Sequence, residues 1–220
     1  DITSARGNFG SGREMYIFKV PGTETVLQGD INHDGRIDMD DFTSYMNYTG
    51  LRAGDADFDG YISGGDINKN GLIDAYDIST VGVMTRGGVS TRDMGTLSGK
   101  IELIAPKSIR EGEEVKVVIR GTDLNEVNAW SVAIPYDPNM LTYVNTTTIG
   151  NKEMENLTYD RLHKNGVKAL YPTFVNTGNK PTIQGNGTLV EITFVARQSG
   201  ELNLEMLDAM LVDKKLNTIE

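Results

Sequence analysis

Two spacings of apolar residues divide this chain. Between residues 39 and 49, Phe42, Tyr45, Met46 and Thr49 recur at three- and four-residue intervals, and Ile78, Val81, Gly82 and Thr85 repeat the pattern over 75–85. That is the period of a helix with one buried face, so two short helices packed on each other are predicted. Past residue 96 the texture changes to short β-type runs at 101–104, 115–119, 127–136, 141–144, 167–175, 189–195, 202–204 and 210–212. Turn residues separate them, as in Glu111-Gly112, Asp137-Pro138-Asn139 and Gly185-Asn186-Gly187. Eight or nine short strands without a long helical stretch predict a β-sandwich over 97–220. Trp130, Val132, Ile134 and Tyr136 alternate along one run and are assigned to its core face.

The rest of the chain connects these blocks. Residues 1–12 are rich in Gly, Ser and Asn and read as loop, whereas 13–20 read as a strand. A lone strand is not stable by itself. Residues 1–28 are therefore assigned to a linker carrying the tail strand of an upstream domain, and the polar stretch 89–96 to a second linker. The chain begins at Asp1 without Met or a visible signal peptide, which suggests a piece of a longer secreted protein.

Charge then points to the first block. The net charge is −10, and residues 30–88 hold 11 acidic against 4 basic side chains. Those acids are patterned. Asp30, Asn32, Asp34, Asp38 and Asp41 fall at positions 1, 3, 5, 9 and 12 of a twelve-residue loop with Gly35 at position 6. Asp66, Asn68, Asn70, Asp74 and Asp77, with Gly71, repeat the pattern 36 residues later. Alternate oxygens of such a turn converge on one ion, Gly gives the bend, and the carbonyl of position 7 (Arg36, Leu72) completes a calcium loop. Ile37 and Ile73, at position 8, fit a short strand pairing the two loops. A middle copy has Asp55, Asp57 and Asp59, with Tyr61 at position 7 and Ser63 at position 9. Its position 12 is Asp66, already position 1 of the next loop, so a third ion and a plain turn both stay open. Two calcium ions are expected, with the middle turn as a candidate third site. At an effective dielectric near 20, two carboxylates about 5 Å apart repel by roughly 3 kcal/mol, so ion binding would be coupled to folding.

The segments GDINHDGRIDMDDFTSYM and GDINKNGLIDAYDISTVG make residues 29–88 resemble a dockerin module. The resemblance implies two calcium ions holding two helices that bind a cohesin. It implies recognition through Met39, Asp40, Met46 and Asn47 in one half, and Ala75, Tyr76, Gly82 and Val83 in the other. These side chains differ between halves. The spacer departs from the family by its extra Asp-rich turn. Residues 97–220 resemble a cohesin, on Glu111-Gly-Glu-Glu-Val-Lys-Val, the run from Trp130 to Leu141, Thr188-Leu-Val-Glu-Ile-Thr-Phe-Val-Ala-Arg and Gly200-Glu-Leu-Asn-Leu. This second resemblance implies a nine-stranded jelly-roll sandwich that binds a dockerin on one sheet face.

Other chemistries find little support. The chain has no Cys, so thiolate sites and disulfides are excluded. His33 lies between two loop ligands and His163 beside a Lys164-Asn165-Gly166 turn, and both are expected on the surface. No nucleophile elbow accompanies them, and no enzyme is expected. An acidic chain without a basic patch argues against nucleic acid, and no apolar run spans a bilayer. A sugar-binding sandwich is the alternative, with Tyr159, Tyr171 and Phe174 as candidate aromatics and the calcium region as a spacer.

The expected fold is thus multidomain: a small α calcium-loop dockerin of duplicated loop–helix units, then an all-β jelly-roll sandwich. The expected role is a non-catalytic, calcium-dependent interaction segment of a carbohydrate-active protein, secreted, on the cell surface or in the periplasm. A cohesin or dockerin would be its partner, in cis or in trans, and a glycan could enter through upstream domains. A linker of about 10 residues reaches some 33 Å. Packing of the two modules within one chain is the expected arrangement.

Overall fold

The helices start where the acidic loops end. Asp38 caps α1 (Met39–Ser44) and Asp74 caps α2 (Ala75–Met84), each accepting from the amide two residues on. Asp41 and Asp77 reach back to the cap amides, so each loop closes in a capping box. The helix predicted over 39–49 tightens into a 3-10 turn at Tyr45–Asn47 and stops at Gly50, whose φ is +77°. This computed structural model describes residues 4–9, 13–18, 27–58, 62–85, 87–90, 92 and 94–220.

Pairing between the loops differs from expectation. Ile73 exchanges backbone hydrogen bonds with the chain leaving the first helix: Gly50 N donates to Ile73 O and Ile73 N to Leu51 O, both at 2.9 Å. Ile37 stays half-buried outside that pairing. The turn after α1 brings residues 50–53 to the last loop, which takes the place of the first. Near the N-terminus, β1 (Ser4–Phe9) and β2 (Arg13–Phe18) form an antiparallel hairpin. Residues 4–9 were expected as loop. The register that sets Phe9 against Arg13 and Ser4 against Phe18 gives the predicted strand its partner.

The sandwich has two main sheets. One runs β3 (Ser98–Ile104), β5 (Glu114–Val127), β12 (Ile183–Ala196), β7 (Leu141–Thr148). The other runs β15 (Thr218–Ile219), β14 (Leu207–Val212), β6 (Ala129–Pro135), β10 (Lys168–Tyr171), β9 (Tyr159–Leu162). In it β11 (Thr173–Val175) also pairs with β6, and β8 (Glu155–Asn156) pairs with β11. Short strands β4 (Ser108–Ile109) and β13 (Gly200–Glu201) pair separately. Strand β5 runs far past the predicted 115–119. Asp123 and Glu126 sit at positive φ, and register shifts along β5–β12 break the alternation a reader relies on. The predicted strand at 202–204 is not one, although Leu202 N donates to Lys107 O.

Strand β6 is buried on both faces. Trp130, Val132 and Ile134 enter the core between the sheets, where Trp130 stacks on Phe174 with ring centroids 4.8 Å apart. Ala129, Ser131 and Ala133 face the other way, toward the helices. Across the sheet Ala129 pairs with Val175 and Val212, and this row joins Phe42, Tyr45, Ile78 and Val81 in one apolar cluster. Truncating Phe174 to Ala should cost about 3–5 kcal/mol, because it opens a cavity against Trp130; urea unfolding followed by Trp130 fluorescence measures it.

Candidate functional site: an interface between acidic loops, helices and sheet

The two outer acidic loops share one hydrogen-bond skeleton. In the first, Asp30 accepts from Asp34 N at 3.1 Å and Gly35 N at 2.9 Å, while Asp41 accepts from Ile31 N at 2.7 Å and Asp38 N at 2.9 Å. In the last, Asp66 accepts from Asn70 N at 3.1 Å and Gly71 N at 2.9 Å, and Asp77 from Ile67 N at 2.7 Å and Asp74 N at 3.0 Å. Asn32 and Asn70 also accept from backbone amides, and Asn70 donates to Asp74. Even φ at His33 and Lys69 matches, at +59°. Asn68 Oδ1 takes the Asn70 amide, as Asn32 does in the first loop.

The ligand chemistry fits a hard cation. Every side-chain donor is an oxygen of Asp or Asn, the set calcium prefers. Asp41 and Asp77 are fully buried, and among the described residues neither meets a cationic side chain. Burial pushes Asp74 up to about 6, and burial with the Asp74 charge drives Asp77 well above the usual carboxylate range. Among the described residues no three acidic or histidine side chains already enclose an ion-sized space.

The middle turn behaves differently. Asp59 and Tyr61 lie outside the described residues, and Asp57 is exposed. Asp55 spends its oxygens elsewhere: Arg52 N and His163 Nδ1 meet Oδ2 at 3.1 and 2.7 Å, and Lys164 N donates to Oδ1 at 3.2 Å. Burial alone would raise the Asp55 pKa, but these hydrogen bonds hold it below the ordinary value. His163 is buried, contrary to its expected exposure, and its Nε2 lies 2.6 Å from Tyr171 Oη. Arg52 Nε donates to the same oxygen at 3.1 Å and its guanidinium pairs with Asp208. With a neutral imidazole, one donor order satisfies every group: Arg52 to Tyr171, Tyr171 to His163, His163 to Asp55.

These contacts join the helical region to the sheet β14–β6–β10/β11. Ala75 N donates to Ser131 Oγ at 3.1 Å and Gly178 N to Gly82 O at 3.1 Å. A Cβ on Gly82 would lie 3.0 Å from Asn176 O, so the helix backbone approaches as closely as glycine allows. Gly50 is tighter still, since its Cβ would fall 2.2 Å from the Tyr171 ring. Arg161 donates to Asn47 O at 2.8 Å and Thr49 O at 2.9 Å, placing a cation on the C-terminal carbonyls of the first helix. Tyr159 lies under that guanidinium, 4.2 Å from ring centroid to Cζ.

Of the predicted recognition residues, Ala75 and Gly82 touch the sheet, and Asn47 does so through its carbonyl. Tyr76 and Val83 are half-buried, Met39 packs at the edge of the shared cluster, and Asp40 and Met46 face solvent. The stripe that held Met46 is therefore narrower than its spacing implied. The residues missed from sequence are Ser131, Arg161, Arg52 and Asn176, while Tyr171, singled out there as a sugar-binding aromatic, is instead bonded to Arg52 and His163. A signal existed in Ala129, Ser131 and Ala133, a run of small uncharged residues where a solvent-facing strand carries charge. Trp130, Phe174 and Tyr171 are buried, so these aromatics form no exposed platform for a sugar.

The cohesin-domain family profile matches residues 99–218. Among solved structures the chain is similar to the cohesin module of a family 33 glycoside hydrolase from Clostridium perfringens, at 18% identity, covering 56% of this chain and 89% of that one with a TM-score of 0.44. A cohesin from scaffoldin B of Acetivibrio cellulolyticus, solved in complex with a dockerin, is similar at 14% identity over 55% of this chain and 90% of that one, TM-score 0.41. A non-cellulosomal cohesin from the archaeon Archaeoglobus fulgidus follows at 17%, covering 55% and 83%, TM-score 0.39. No curated protein matches. No helix among the described residues is long and apolar enough to cross a membrane. Cohesin domains are non-catalytic modules that bind dockerins, and with more than half of its residues matched, this chain belongs to the cohesin family.

Proposed function

We propose that residues 29–88 are a dockerin-type module, held by two calcium ions and docked in cis on the sheet face of the chain's own cohesin sandwich. One observation carries this reading. Phe42, Ile78 and Val81 of the helical region share an apolar cluster with Ala129, Val175 and Val212 of the sheet. The duplicated hydrogen-bond skeleton of the outer loops, with Asp41 and Asp77 buried and without a cationic partner among the described residues, supports the calcium part.

Calcium would be held by Asp30, Asn32, Asp34, Asp38 and Asp41 with the Arg36 carbonyl, and by Asp66, Asn68, Asn70, Asp74 and Asp77 with the Leu72 carbonyl. The ion supplies the positive charge that lets the buried carboxylates stay ionised, Asp30 and Asp41 in the first loop and Asp66, Asp74 and Asp77 in the last. The same carboxylates cap the helices, so filling a loop fixes the helix that meets the sheet. The middle turn serves docking rather than metal, because Asp55 is committed to His163 and Lys164. Calcium at modest affinity stays bound where the ion is abundant, so the segment belongs outside the cytoplasm, in a secreted, cell-surface or periplasmic protein. There it would act as a rigid non-catalytic segment of a larger carbohydrate-active protein.

Equilibrium dialysis should find two calcium ions per chain. Asp30→Ala and Asp66→Ala should each remove one, whereas Asp55→Ala should leave two. A third ion lost with Asp55 would restore the middle loop as a metal site.

Cis docking is tested by placing a protease site in 89–96 and cutting it. The halves should co-elute in calcium and separate in chelator; separation in calcium would refute the docking. In the uncut chain, Gly50→Ala should split one calorimetric transition into two, because the added methyl meets Tyr171 and the left-handed backbone there disfavours any side chain.

A further inference from the structure

Four of the seven buried polar side-chain atoms that lack a hydrogen-bond partner among the described residues belong to one seam. Ser79 is fully buried on α2 between Ala75 and Gly82, three or four residues from each, and so shares their face. Its Oγ has no hydrogen-bond partner among the described residues. Opposite Gly82 runs the segment after β11, in which Asn176 Oδ1 and Thr177 Oγ1 are also unpartnered. Asn128 Nδ2 is the fourth; this residue lies beside Asn176, whose amide donates to Asn128 O at 3.0 Å and whose Nδ2 donates to Asn128 Oδ1 at 3.2 Å. Asn128, Asn176 and Thr177 are each about 1% exposed or less.

A polar group buried without a partner disfavours the buried state by about fivefold to over a hundredfold, and it recovers that loss once water reaches it. Along this seam the loss attaches to docking. Separation of α2 from the sheet would hydrate Ser79 Oγ, Asn176 Oδ1 and Thr177 Oγ1 while leaving Trp130, Val132 and Ile134 packed between the sheets.

We propose that the contact between α2 and the sheet is a mask built to open: the face of β6, β11 and β14 is covered in the closed molecule and uncovered by separation along this seam, with the sandwich intact. The inference rests on the cis docking proposed above. A tether of this length returns the helical region with an effective concentration of order millimolar. A dockerin in trans then binds with its affinity scaled by the open fraction, so the seam sets the threshold for outside partners.

Native-state hydrogen exchange on the full chain in saturating calcium tests this. The reporters are the Ala75 amide, bonded to Ser131 Oγ, and the Gly178 amide, bonded to Gly82 O; the reference is the β5–β12 pair. The reporters should exchange at least about a hundredfold faster than the reference, through sub-global opening. Thr177→Val, and independently Ser79→Ala, should slow the reporters by about fivefold to a hundredfold and leave β5–β12 unchanged. The proposal is overturned if reporters and reference share one exchange rate, or if both substitutions leave the reporters unchanged or faster, as they would if bound water satisfied the seam. Unprotected reporters in calcium, with halves that separate after cleavage, would instead defeat the docking itself. Protected reporters that open only with the whole fold would leave docking standing and remove the mask.

Discussion

The two-sided burial of β6 is the constraint on which the remaining contacts depend. A strand covered on both faces must pack large residues where the gap is wide and small ones where a backbone comes close. Trp130, Val132 and Ile134 fill the space between the sheets, and Ala129, Ser131 and Ala133 leave room for a helix start. Neighbouring strands obey the same division. Leu211 and Phe174 point into the sandwich, whereas Val212, Met210 and Val175 point to the helices. Widening any of the small positions would lift α2 off Ser131 and detach the chain of contacts from Gly50 to Gly82 that follows it.

The helical region contributes the complementary smallness. Ala75, Gly82 and Gly50 stand where the helical region comes close to the sheet. Its stability has a different origin from that of the sandwich. Ten residues of α2 and six of α1 are too few to hold a helix by propensity. They are fixed by capping boxes whose acids also belong to the loops, and by Arg161 against the far end of the first helix. The acids of the loops therefore also fix the starts of the helices that meet the sheet.

Much of this was legible in sequence because it is local. Position-by-position repetition made the outer loops readable, and the starts of α1 and α2 follow from Asp38 and Asp74. Alternation placed most strands of the sandwich. What was not legible depends on distant partners. His163 read as surface because its turn signature is local, whereas its burial comes from Asp55 more than 100 residues away. Arg161 sits in an unremarkable β-run, and its acceptors are carbonyls that no composition reveals. Strand β5 was cut short because Asp123 and Glu126 turn the backbone to positive φ without ending the ladder. The 4–9 strand was read as loop because its pairing with 13–18 outweighs its Gly and Asn.

The middle turn shows how context changes the contacts made by the same residue pattern. Asp55 opens a third Asp-x-Asp-x-Asp-Gly run, and local chemistry alone would give it the same ligand role as Asp30 and Asp66. The difference lies in what faces it. Among the described residues, Asp30 and Asp66 accept hydrogen bonds from backbone amides of their own loops alone. Asp55 faces an imidazole and a lysine amide from the β9–β10 turn. Once a carboxylate is engaged by donors from another element, a cation at the same place must break those bonds and leave the buried imidazole N–H without its acceptor. The same residue pattern therefore closes on its own backbone in two loops and forms a clasp in the third, and that clasp ties the spacer between the loops to the edge of the sheet.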